Sequence, residues 1–175
     1  MSHSHESFVE AARRAASAPD PDAAVTALLR RTLADPKAVA AAMPEQDEDE
    51  ILLFEDDTVS VWSSRFQPGV MMPPHEHRMP VHIGGVSGTE VSVLYRREAG
   101  LLMQIGERAV RPGEILSLPG DAIHAVTAAG KMPSHALHIY LGPLSRVERA
   151  LFDWDTGARV EFSMANFHAM QRPAP

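Results

Sequence analysis

The sequence contains no cysteine. This absence excludes disulfide bonds, zinc–thiolate sites, iron–sulfur clusters and thiol nucleophiles. Basic residues are also in the minority, with 16 Lys and Arg against 23 Asp and Glu, a formal net charge of −7. Because a surface that binds nucleic acid needs clustered positive charge, we expect no nucleic-acid partner.

Long apolar runs are missing as well. No stretch approaches the roughly 18 apolar residues that a membrane span requires. The first residues, MSHSHESFVEAARR, carry acidic and histidine side chains and lack the apolar core of a signal peptide. We therefore expect a cytoplasmic protein without membrane contact. Its 175 residues suffice to bury a hydrophobic core in a single domain.

Residues 1–45 have a helical pattern. The run PDPD at residues 19–22 ends one helix and begins another, in which Leu28, Leu29 and Leu33 recur at helical spacing. A third, alanine-rich helix follows. This pattern predicts a helical cap packed against a larger body, and a weakly packed N-terminal arm is the alternative.

From residue 46 the composition changes. An acidic run, QDEDE, leads into about eight short stretches rich in β-branched and aromatic residues, such as TVSVWSSRF and TEVSVLYRR. Turn signals such as QPG, EAG and RPG separate them. The regular spacing indicates a sandwich or barrel rather than alternating strands and helices. We assign the barrel to residues 46–165 and expect a loose tail at residues 166–175.

Two histidines, His75 and His77, stand at alternate positions in GVMMPPHEH, which has the pattern of a strand. Side chains two residues apart in a strand share a face, so both imidazoles would project together. His124 follows a Pro-Gly-Asp turn at the start of a later strand. Three neutral imidazoles converging inside a barrel would suit Fe(II), Zn(II), Ni(II), Mn(II) or Cu(II). The alternative is three buried histidines that are only hydrogen-bonded.

Both histidine stretches resemble the two sequence motifs of the cupin superfamily. The matching residues are Gly69, His75, His77 and Gly88 in the first motif and Gly113, Pro119 and His124 in the second. Asp121 and Ala128 depart from the second motif, which has Gly and Asn at these places. The resemblance implies a mainly β fold, the double-stranded β-helix or jelly-roll barrel, with a metal ion bound by His75, His77 and His124.

One departure from the first motif concerns the metal ligands. Where most cupins have a metal-ligating Glu, this chain has Val81 or His82, depending on the spacing chosen. The site therefore resembles a three-histidine site without a carboxylate. Adjacent strand residues face opposite ways, so only one of the two points inward. His82 is expected either to support the metal ligands or to face outward, and direct ligation is the less favoured role.

Within the cupins, a three-histidine site resembles that of the thiol dioxygenases, the family of cysteine dioxygenase. The stretch ALHIY is similar to the family's Ser-x-His-x-Tyr strand, with His138 and Tyr140 matching and Ala136 replacing the serine. This resemblance implies an Fe(II) enzyme that oxidises a small thiol, such as cysteine or 3-mercaptopropionate, with O2 to a sulfinate. It gives Tyr140 and His138 catalytic roles. The alternative is a tyrosine of the barrel wall and a core histidine.

The family's arginine, which binds the substrate carboxylate from an early strand, has no counterpart near Leu52. Arg65, Arg96 and Arg97 are possible substitutes, and because Arg96 and Arg97 are adjacent, only one of them can face the cavity. Met79 is expected either to line the mouth of the pocket or to pack in the core.

Other functions stay open at this stage. Three-histidine cupins also cleave β-diketones, and others act as isomerases or hydrolases with the metal as a Lewis acid. A third possibility is a barrel that binds a metal or small molecule without catalysis. The sequence is compatible with a monomer and with a homodimer.

Overall fold

The computed structural model describes residues 3–43 and 47–174, so the predicted boundary between residues 45 and 46 lies outside the described residues. The helices are α1 (His3–Ala16), α2 (Pro21–Thr32), α3 (Pro36–Ala42) and α4 (Met164–Ala169). The strands are β1 (Glu50–Glu55), β2 (Ser60–Phe66), β3 (Val70–His75), β4 (Val81–Ser87), β5 (Glu90–Glu98), β6 (Leu101–Val110), β7 (Ile115–Leu118), β8 (Ile123–Ala128), β9 (Ser134–Tyr140), β10 (Ala150–Phe152), β11 (Arg159–Glu161) and β12 (Arg172–Pro173).

The strands form two antiparallel sheets. One has the order β1-β2-β9-β4-β7 and the other the order β11-β10-β3-β8-β5-β6, with β12 paired to β3. From β2 to β9 the chain alternates between the sheets, except at the hairpin of β5 and β6. This is the topology of a double-stranded β-helix, or jelly roll. The predicted fold is therefore confirmed.

Strand β9 lies between β2 and β4 in the first sheet, and alternate residues of it face the interior of the barrel. Its antiparallel pairing with β2 places Trp62 opposite His138 and Ser60 opposite Tyr140. Residues paired in this way share one face of the sheet. His138, Tyr140 and Trp62 consequently point into the barrel, whereas Ile139 points outward.

The outward face of this sheet is covered by the N-terminal helices, which confirms the predicted cap. In α2, the apolar side chains Val25 and Leu29 are fully buried, and they pack against Val61 and Ile139 of the sheet. Full burial of a leucine contributes roughly 1.5–3 kcal/mol, so α2 is a docked element and not a weakly packed arm. Among the described residues, no helix is long and apolar enough to cross a membrane.

Helix α2 begins at a capped turn and ends close to the sheet. The Asp20 carboxylate accepts a hydrogen bond from the Ala23 backbone N–H at 3.0 Å, and Pro21 occupies the first turn. At the other end, a Cβ atom on Gly84 of β4 would lie 2.6 Å from Leu33 Cδ1. Glycine at this position allows the helix to approach the strand.

The C-terminal residues are ordered against the barrel. Strand β12 pairs with β3, and α4 buries Phe167 beside Met72 and Val126 of the barrel. Trp154 also packs onto the barrel, and its Nε1–H donates to the Met170 carbonyl at 2.8 Å. The prediction of a loose tail is therefore wrong for residues 166–174, because it took no account of an apolar side chain in a short helix and an open edge on β3.

Candidate metal centre

Three histidines meet inside the barrel. His75 ends β3 and lies opposite His124 of β8 in the antiparallel register. His75 Nε2 is 3.1 Å from His77 Nε2, which in turn is 3.3 Å from His124 Nε2. One nitrogen atom of each ring lies within 4.8 Å of the other two. The structure thus brings together the three residues that the sequence indicated as ligands.

His77 reaches this group from outside the strand, so the prediction that the whole GVMMPPHEH stretch is a strand is wrong at its end. Strand β3 ends at His75, and Arg78 has a left-handed backbone with φ of 64°. The intervening Glu76 points away from the ring cluster and is buried, with Oε1 2.7 Å from an Arg159 nitrogen. This ion pair anchors the turn that presents His77.

Hydrogen bonds orient two of the rings. His75 Nδ1 lies 2.9 Å from the Pro73 carbonyl oxygen, which can only accept, so Nδ1 carries the ring proton and Nε2 the lone pair. His124 Nδ1 lies 3.0 Å from Ser92 Oγ, and the same tautomer results when Nδ1–H donates to this hydroxyl. His77 Nε2 faces both of these lone pairs at hydrogen-bond distance, so either a proton on His77 or a cation between the three rings relieves their repulsion. The ring orientations are those of metal ligands.

Burial keeps the three rings neutral. Desolvation is the main cause that lowers the pKa of His75, to about 3, against the opposing effect of the hydrogen bond to Pro73. Burial also lowers the pKa of His77 and His124 well below the usual value, and protonation of a neighbouring ring would add repulsion. Neutral imidazole is the form that binds a metal ion.

The donor set fits one divalent metal ion. With metal–nitrogen bonds of about 2.0–2.1 Å, two ligands on the same ion lie roughly 3 Å apart, close to the two distances between Nε2 atoms. No carboxylate among the described residues joins the three histidines. Val81, at one of the two positions aligned with the usual cupin Glu, is fully buried among apolar side chains. The barrel therefore carries a three-histidine metal-binding site, and imidazole ligands alone do not select the metal.

A second hydrogen-bonded group, formed by Glu90, His138 and Tyr140, lies next to the metal centre. His138 Nδ1 is 3.2 Å from the Tyr140 hydroxyl, and His138 Nε2 is 3.0 Å from Glu90 Oε2. The Tyr140 ring stands edge-on to His77, with ring centroids 4.9 Å apart. Burial raises the pKa of Tyr140, so its hydroxyl stays protonated. The group connects the metal site to a buried carboxylate.

Glu90 was missed in the sequence. It is 1% exposed at the start of β5, and its Oε1 has no hydrogen-bond partner among the described residues. Ala136 stands where the similar strand of the thiol dioxygenases has a serine. In this structure Glu90, from another strand, is the polar partner of His138. One signal was present: Glu90 and Ser92 alternate on the same face of β5. An acidic residue on an inward face is unusual enough to examine.

Beside the metal site lies a nearly closed cavity of about 40 Å³. It can hold only a few water molecules in its present shape. Polar and apolar residues both line this cavity. They are Glu50, Trp62, His75, His77, Tyr140, Leu144, Arg149, Phe162, Met164 and Phe167. The indole nitrogen of Trp62 is buried without a hydrogen-bond partner among the described residues.

Arg149 is the cation of this cavity, and sequence reasoning did not find it. It stands just before β10, and its guanidinium lies 3.3 Å from the centre of the Phe162 ring. Within the described parts of the chain, no hydrogen bond or ion pair engages this guanidinium. Burial lowers the pKa of Arg149, while Tyr140 and Glu50 act in the opposite direction. Arginine nevertheless keeps its charge in proteins.

Glu50 is the carboxylate of the same cavity and was also missed. It is the first residue of β1, where it pairs with Ser64 of β2. Burial raises the pKa of Glu50, although His138 and Arg149 act to lower it. In the sequence, Glu50 is the last residue of the acidic run QDEDE, and such a run gives no sign of which member turns inward.

An open groove of about 520 Å³ adjoins the cavity. Glu50 and Met164 line both spaces and so stand between them. Polar residues such as Glu48, Asp49 and Gln171 line the groove. A second open space, of about 450 Å³, shares Arg149 with the cavity, so the groove is one of two open spaces beside it.

His82 lies on the other side of the sheet, so its predicted role beside the metal ligands is wrong and the outward alternative is observed. It is 1% exposed beneath α2. Its Nε2 lies 3.1 Å from Asp22 Oδ1, and its Nδ1 lies 2.8 Å from Ser117 Oγ and 3.3 Å from Thr26 Oγ1. His82 ties the helical cap to the barrel.

None of the three arginines suggested as a clamp lines the cavity, so these predictions are wrong. Arg96 lies near the end of β5, where its side chain is 64% exposed and pairs with Glu98 at 3.1 Å. Arg65 lines the outer groove and pairs with Asp49 at 2.7 Å. Arg97 lies over the Phe152 ring at 5.7 Å and does not line the cavity either.

Met79 is buried in the wall of the barrel and not at the pocket mouth. It packs in a cluster with Val81, Leu118 and Tyr140. Its side chain also lies close to Gly142, where an added Cβ would come within 3.0 Å of the Met79 sulfur. The packing alternative is therefore the one observed.

No known protein-family model matches this chain. Several solved structures are similar to part of it, and the names of some of them describe cupins or double-stranded β-helix proteins. The DMSP lyase DddQ from Ruegeria pomeroyi has 18% identity, with 58% of this chain and 50% of the lyase covered and a TM-score of 0.47. The chain thus spans about half the length of that lyase.

Two further structures cover more of their own length. A cupin superfamily protein from Desulfitobacterium hafniense has 19% identity, with 60% of this chain and 87% of that protein covered and a TM-score of 0.44. An RmlC-like cupin family protein from Methanocaldococcus jannaschii has 14% identity, coverage of 59% and 91%, and a TM-score of 0.47. At these identities and TM-scores, the fold assignment rests on the strand order given above.

Proposed function

We propose that the protein is a mononuclear non-haem Fe(II) dioxygenase of the thiol dioxygenase type, which oxidises a small carboxylate-bearing thiol with O2 to the sulfinate. One observation carries the proposal: a three-histidine centre without a carboxylate shares an enclosed cavity with Tyr140 and Arg149. The resemblance of the ALHIY stretch to the Ser-x-His-x-Tyr strand of cysteine dioxygenase and its relatives points to the same chemistry.

His75, His77 and His124 would hold the iron through their Nε2 atoms. When bound, Fe(II) supplies a redox-active centre at which O2 and a thiolate can react with each other. The three neutral rings leave the charge of the ion uncompensated, which favours an anionic ligand such as a thiolate. This preference distinguishes the site from one that includes a carboxylate.

Arg149 is proposed to bind the carboxylate of the substrate. A guanidinium matches a carboxylate with two parallel N–H···O bonds, and here it is not engaged by an acidic side chain. It lies in the same cavity as His75 and His77. Arg149 therefore takes the role for which the sequence suggested Arg65 or Arg96, from the C-terminal part of the chain instead of an early strand.

Tyr140 and His138 are proposed to remove the thiol proton. A free thiol has a pKa of about 8.5, and the thiolate is the reactive form. In the proposed step the thiol proton passes to the Tyr140 oxygen while the Tyr140 proton passes to His138 Nδ1. The resulting imidazolium is paired with Glu90 through His138 Nε2, at 3.0 Å. The protonated Tyr140 hydroxyl can then donate a hydrogen bond to an anion in the cavity.

Apolar side chains form part of the cavity wall and limit the access of water. Phe167 packs edge-on against His75 with ring centroids 5.5 Å apart, and Phe162 lies against Phe167. Excluding water strengthens the interactions of Arg149 and Tyr140 with a bound anion. The small volume of the cavity favours a substrate of a few heavy atoms. The proposed reaction requires only this thiol and O2 as partners, and it is compatible with a monomer or a homodimer.

Oxygen consumption tests the proposal. The protein would be loaded anaerobically with Fe(II) and mixed with O2 and 3-mercaptopropionate, cysteine or cysteamine. We expect O2 uptake with a carboxylate-bearing thiol, a sulfinate that carries both atoms of 18O2, and no uptake by the His124→Ala variant. Tight Fe(II) binding without uptake for any thiol would refute the proposal, and uptake with β-diketones alone would replace it with diketone cleavage.

A further inference from the structure

We infer that Glu50 makes the cavity selective for a zwitterionic aminothiol: its carboxylate binds the ammonium group of the substrate while Arg149 binds the carboxylate. The substrate class would then be a 2-amino acid with a thiol, such as L-cysteine, and not a thiol with a carboxylate alone. The identity of the thiol rests on the proposed function, whereas the charge recognition rests on the cavity itself.

The position of Glu50 carries the first step of the argument. Glu50 lines the cavity together with His77, Tyr140 and Arg149, and no other acidic residue in the described parts of the chain lines it. Glu90, another buried carboxylate, is engaged by His138 and does not line the cavity. A ligand beside the metal site therefore meets one anion and one cation of the protein.

The second step concerns hydrogen-bond partners. Among the described residues, the Glu50 carboxylate accepts no hydrogen bond and forms no ion pair within 4.0 Å, although Arg149 lines the same cavity. Glu50 is half-buried, so its carboxylate is only partly solvated, and this partial loss of water without a protein partner carries a cost. Burial accordingly raises the pKa of Glu50. The cost is offset when a ligand supplies the missing donors.

The third step is the chemistry of the ligand. An α-amino acid carries an ammonium and a carboxylate on one carbon atom, so a single small molecule can satisfy both Glu50 and Arg149. A thiol with a carboxylate but no amine leaves Glu50 without a partner and brings a second carboxylate into the cavity. Cysteamine, which has the amine but no carboxylate, leaves Arg149 without a partner instead.

The groove on the Glu50 side of the cavity has the same polarity. Glu50 stands between the cavity and the outer groove, and Glu48 and Asp49 line the groove as well. Asp49 is neutralised by Arg65 at 2.7 Å, whereas Glu48 is exposed. Glu48 therefore provides a control: it is a carboxylate two residues away that faces the groove but not the cavity.

Equilibrium binding tests the inference without turnover. The Fe(II)-loaded protein would be titrated anaerobically by calorimetry with L-cysteine, 3-mercaptopropionate and cysteamine. We expect the wild type to bind L-cysteine at least about tenfold more tightly than either analogue. Glu50→Gln should lose about tenfold or more for L-cysteine and change little, or improve, for 3-mercaptopropionate. Glu48→Gln should behave as the wild type.

Two further measurements exclude other roles for Glu50. Iron content should be unchanged in Glu50→Gln, and a loss of iron would identify Glu50 as a metal ligand and overturn the inference. The Glu50→Asp variant keeps the charge and should retain part of the preference for L-cysteine. Equal weakening of all three ligands in Glu50→Gln, or wild-type preference for 3-mercaptopropionate, would also overturn it.

The outcomes separate this inference from the proposed function. Selective binding of L-cysteine without O2 uptake would support charge recognition by Glu50 and refute the dioxygenase. O2 uptake with 3-mercaptopropionate that is indifferent to Glu50→Gln would leave the dioxygenase in place and refute the selectivity.

Discussion

The two faces of the first sheet each carry a buried histidine paired with a carboxylate. On the outward face, His82 of β4 lies 3.1 Å from Asp22; on the inward face, His138 of β9 lies 3.0 Å from Glu90. The two histidines lie on adjacent strands and are offset by one residue: His82 pairs with Ile139, and Ile83 pairs with His138. The local chemistry is the same, but the surroundings differ.

The two pairs differ in the exposure of the carboxylate and in the further contacts of the histidine. Asp22 has a side chain that is 61% exposed, so solvent screens the outer pair. Glu90 has a side chain that is only 1% exposed, and the inner pair continues through His138 to Tyr140 and the metal site. A histidine–carboxylate pair therefore serves docking on one face and, in our proposal, proton transfer on the other. Successive residues of a strand point to opposite faces, and this alternation decides on which face each histidine lies.

The largest expected difference between the faces is in metal binding. His75→Ala removes one of three inward Nε2 donors, and we expect the iron content to fall from about one ion per chain to near zero, with loss of O2 uptake. His82→Ala should keep the iron, because His82 lies across the sheet from the site. Elemental analysis of both purified variants checks this prediction. Iron loss in His82→Ala would show that the two faces are not independent.

A smaller difference is expected from the matched amide substitutions Glu90→Gln and Asp22→Asn. Glu90→Gln keeps the shape of the side chain but removes the charge that stabilises an imidazolium at His138. We expect kcat to fall on the order of tenfold to a hundredfold, with unchanged iron content and a changed pH profile.

Asp22→Asn is the control for this comparison, and kcat should stay within about twofold of the wild type. Steady-state O2 uptake between pH 6 and 9 checks both variants. Equal effects of the two substitutions would remove the distinction between a docking pair and a proton-transfer pair.

The smallest effect concerns stability and pH. Burial lowers the pKa of His82, against the opposing effect of Asp22. Between the folded pKa and the unfolded value of about 6.5, the unfolded state binds more protons, so acid destabilises the fold. His82→Gln should reduce the pH slope of the unfolding free energy below pH 6.5, by at most about 1.4 kcal/mol per pH unit.

The Asp22→Asn variant gives the opposite sign. Removing Asp22 takes away the interaction that raises the pKa of His82, so the folded value falls further and the slope below pH 6.5 extends to lower pH. Urea unfolding at pH 7, 6 and 5 measures these slopes. A slope that is the same in His82→Gln and the wild type would show that His82 does not contribute.

The barrel and its helical cap were predictable because their signals are local. Alternating β-branched residues, frequent turn signals and capped helices each depend on a few neighbouring residues. The errors occurred where long-range contacts decide. The segment from residue 166 to 174 has no strong pattern of its own and is ordered by β3 and the barrel core.

Some residues of the candidate site were likewise predictable from local signals, and others were not. His75, His77 and His124 were found because their spacing and turn context mark them in the chain, and their convergence is present in the structure. His82 and Arg96 were considered for reasons of spacing and charge, yet both lie elsewhere. Charge and residue type do not state which side of a sheet a residue occupies.

By itself, the sequence determined a sandwich or barrel and three candidate ligand histidines, because hydrophobic periodicity and short motifs encode strands and the residues near them; the jelly-roll form was implied by the resemblance to the cupin motifs. Only the tertiary structure decided that Glu90 completes the hydrogen-bonded group at His138 and that Glu50 and Arg149 share the cavity. These three residues come from separate parts of the chain. Their roles depend on distances and burial that are fixed only when both sheets and the C-terminal segment pack together.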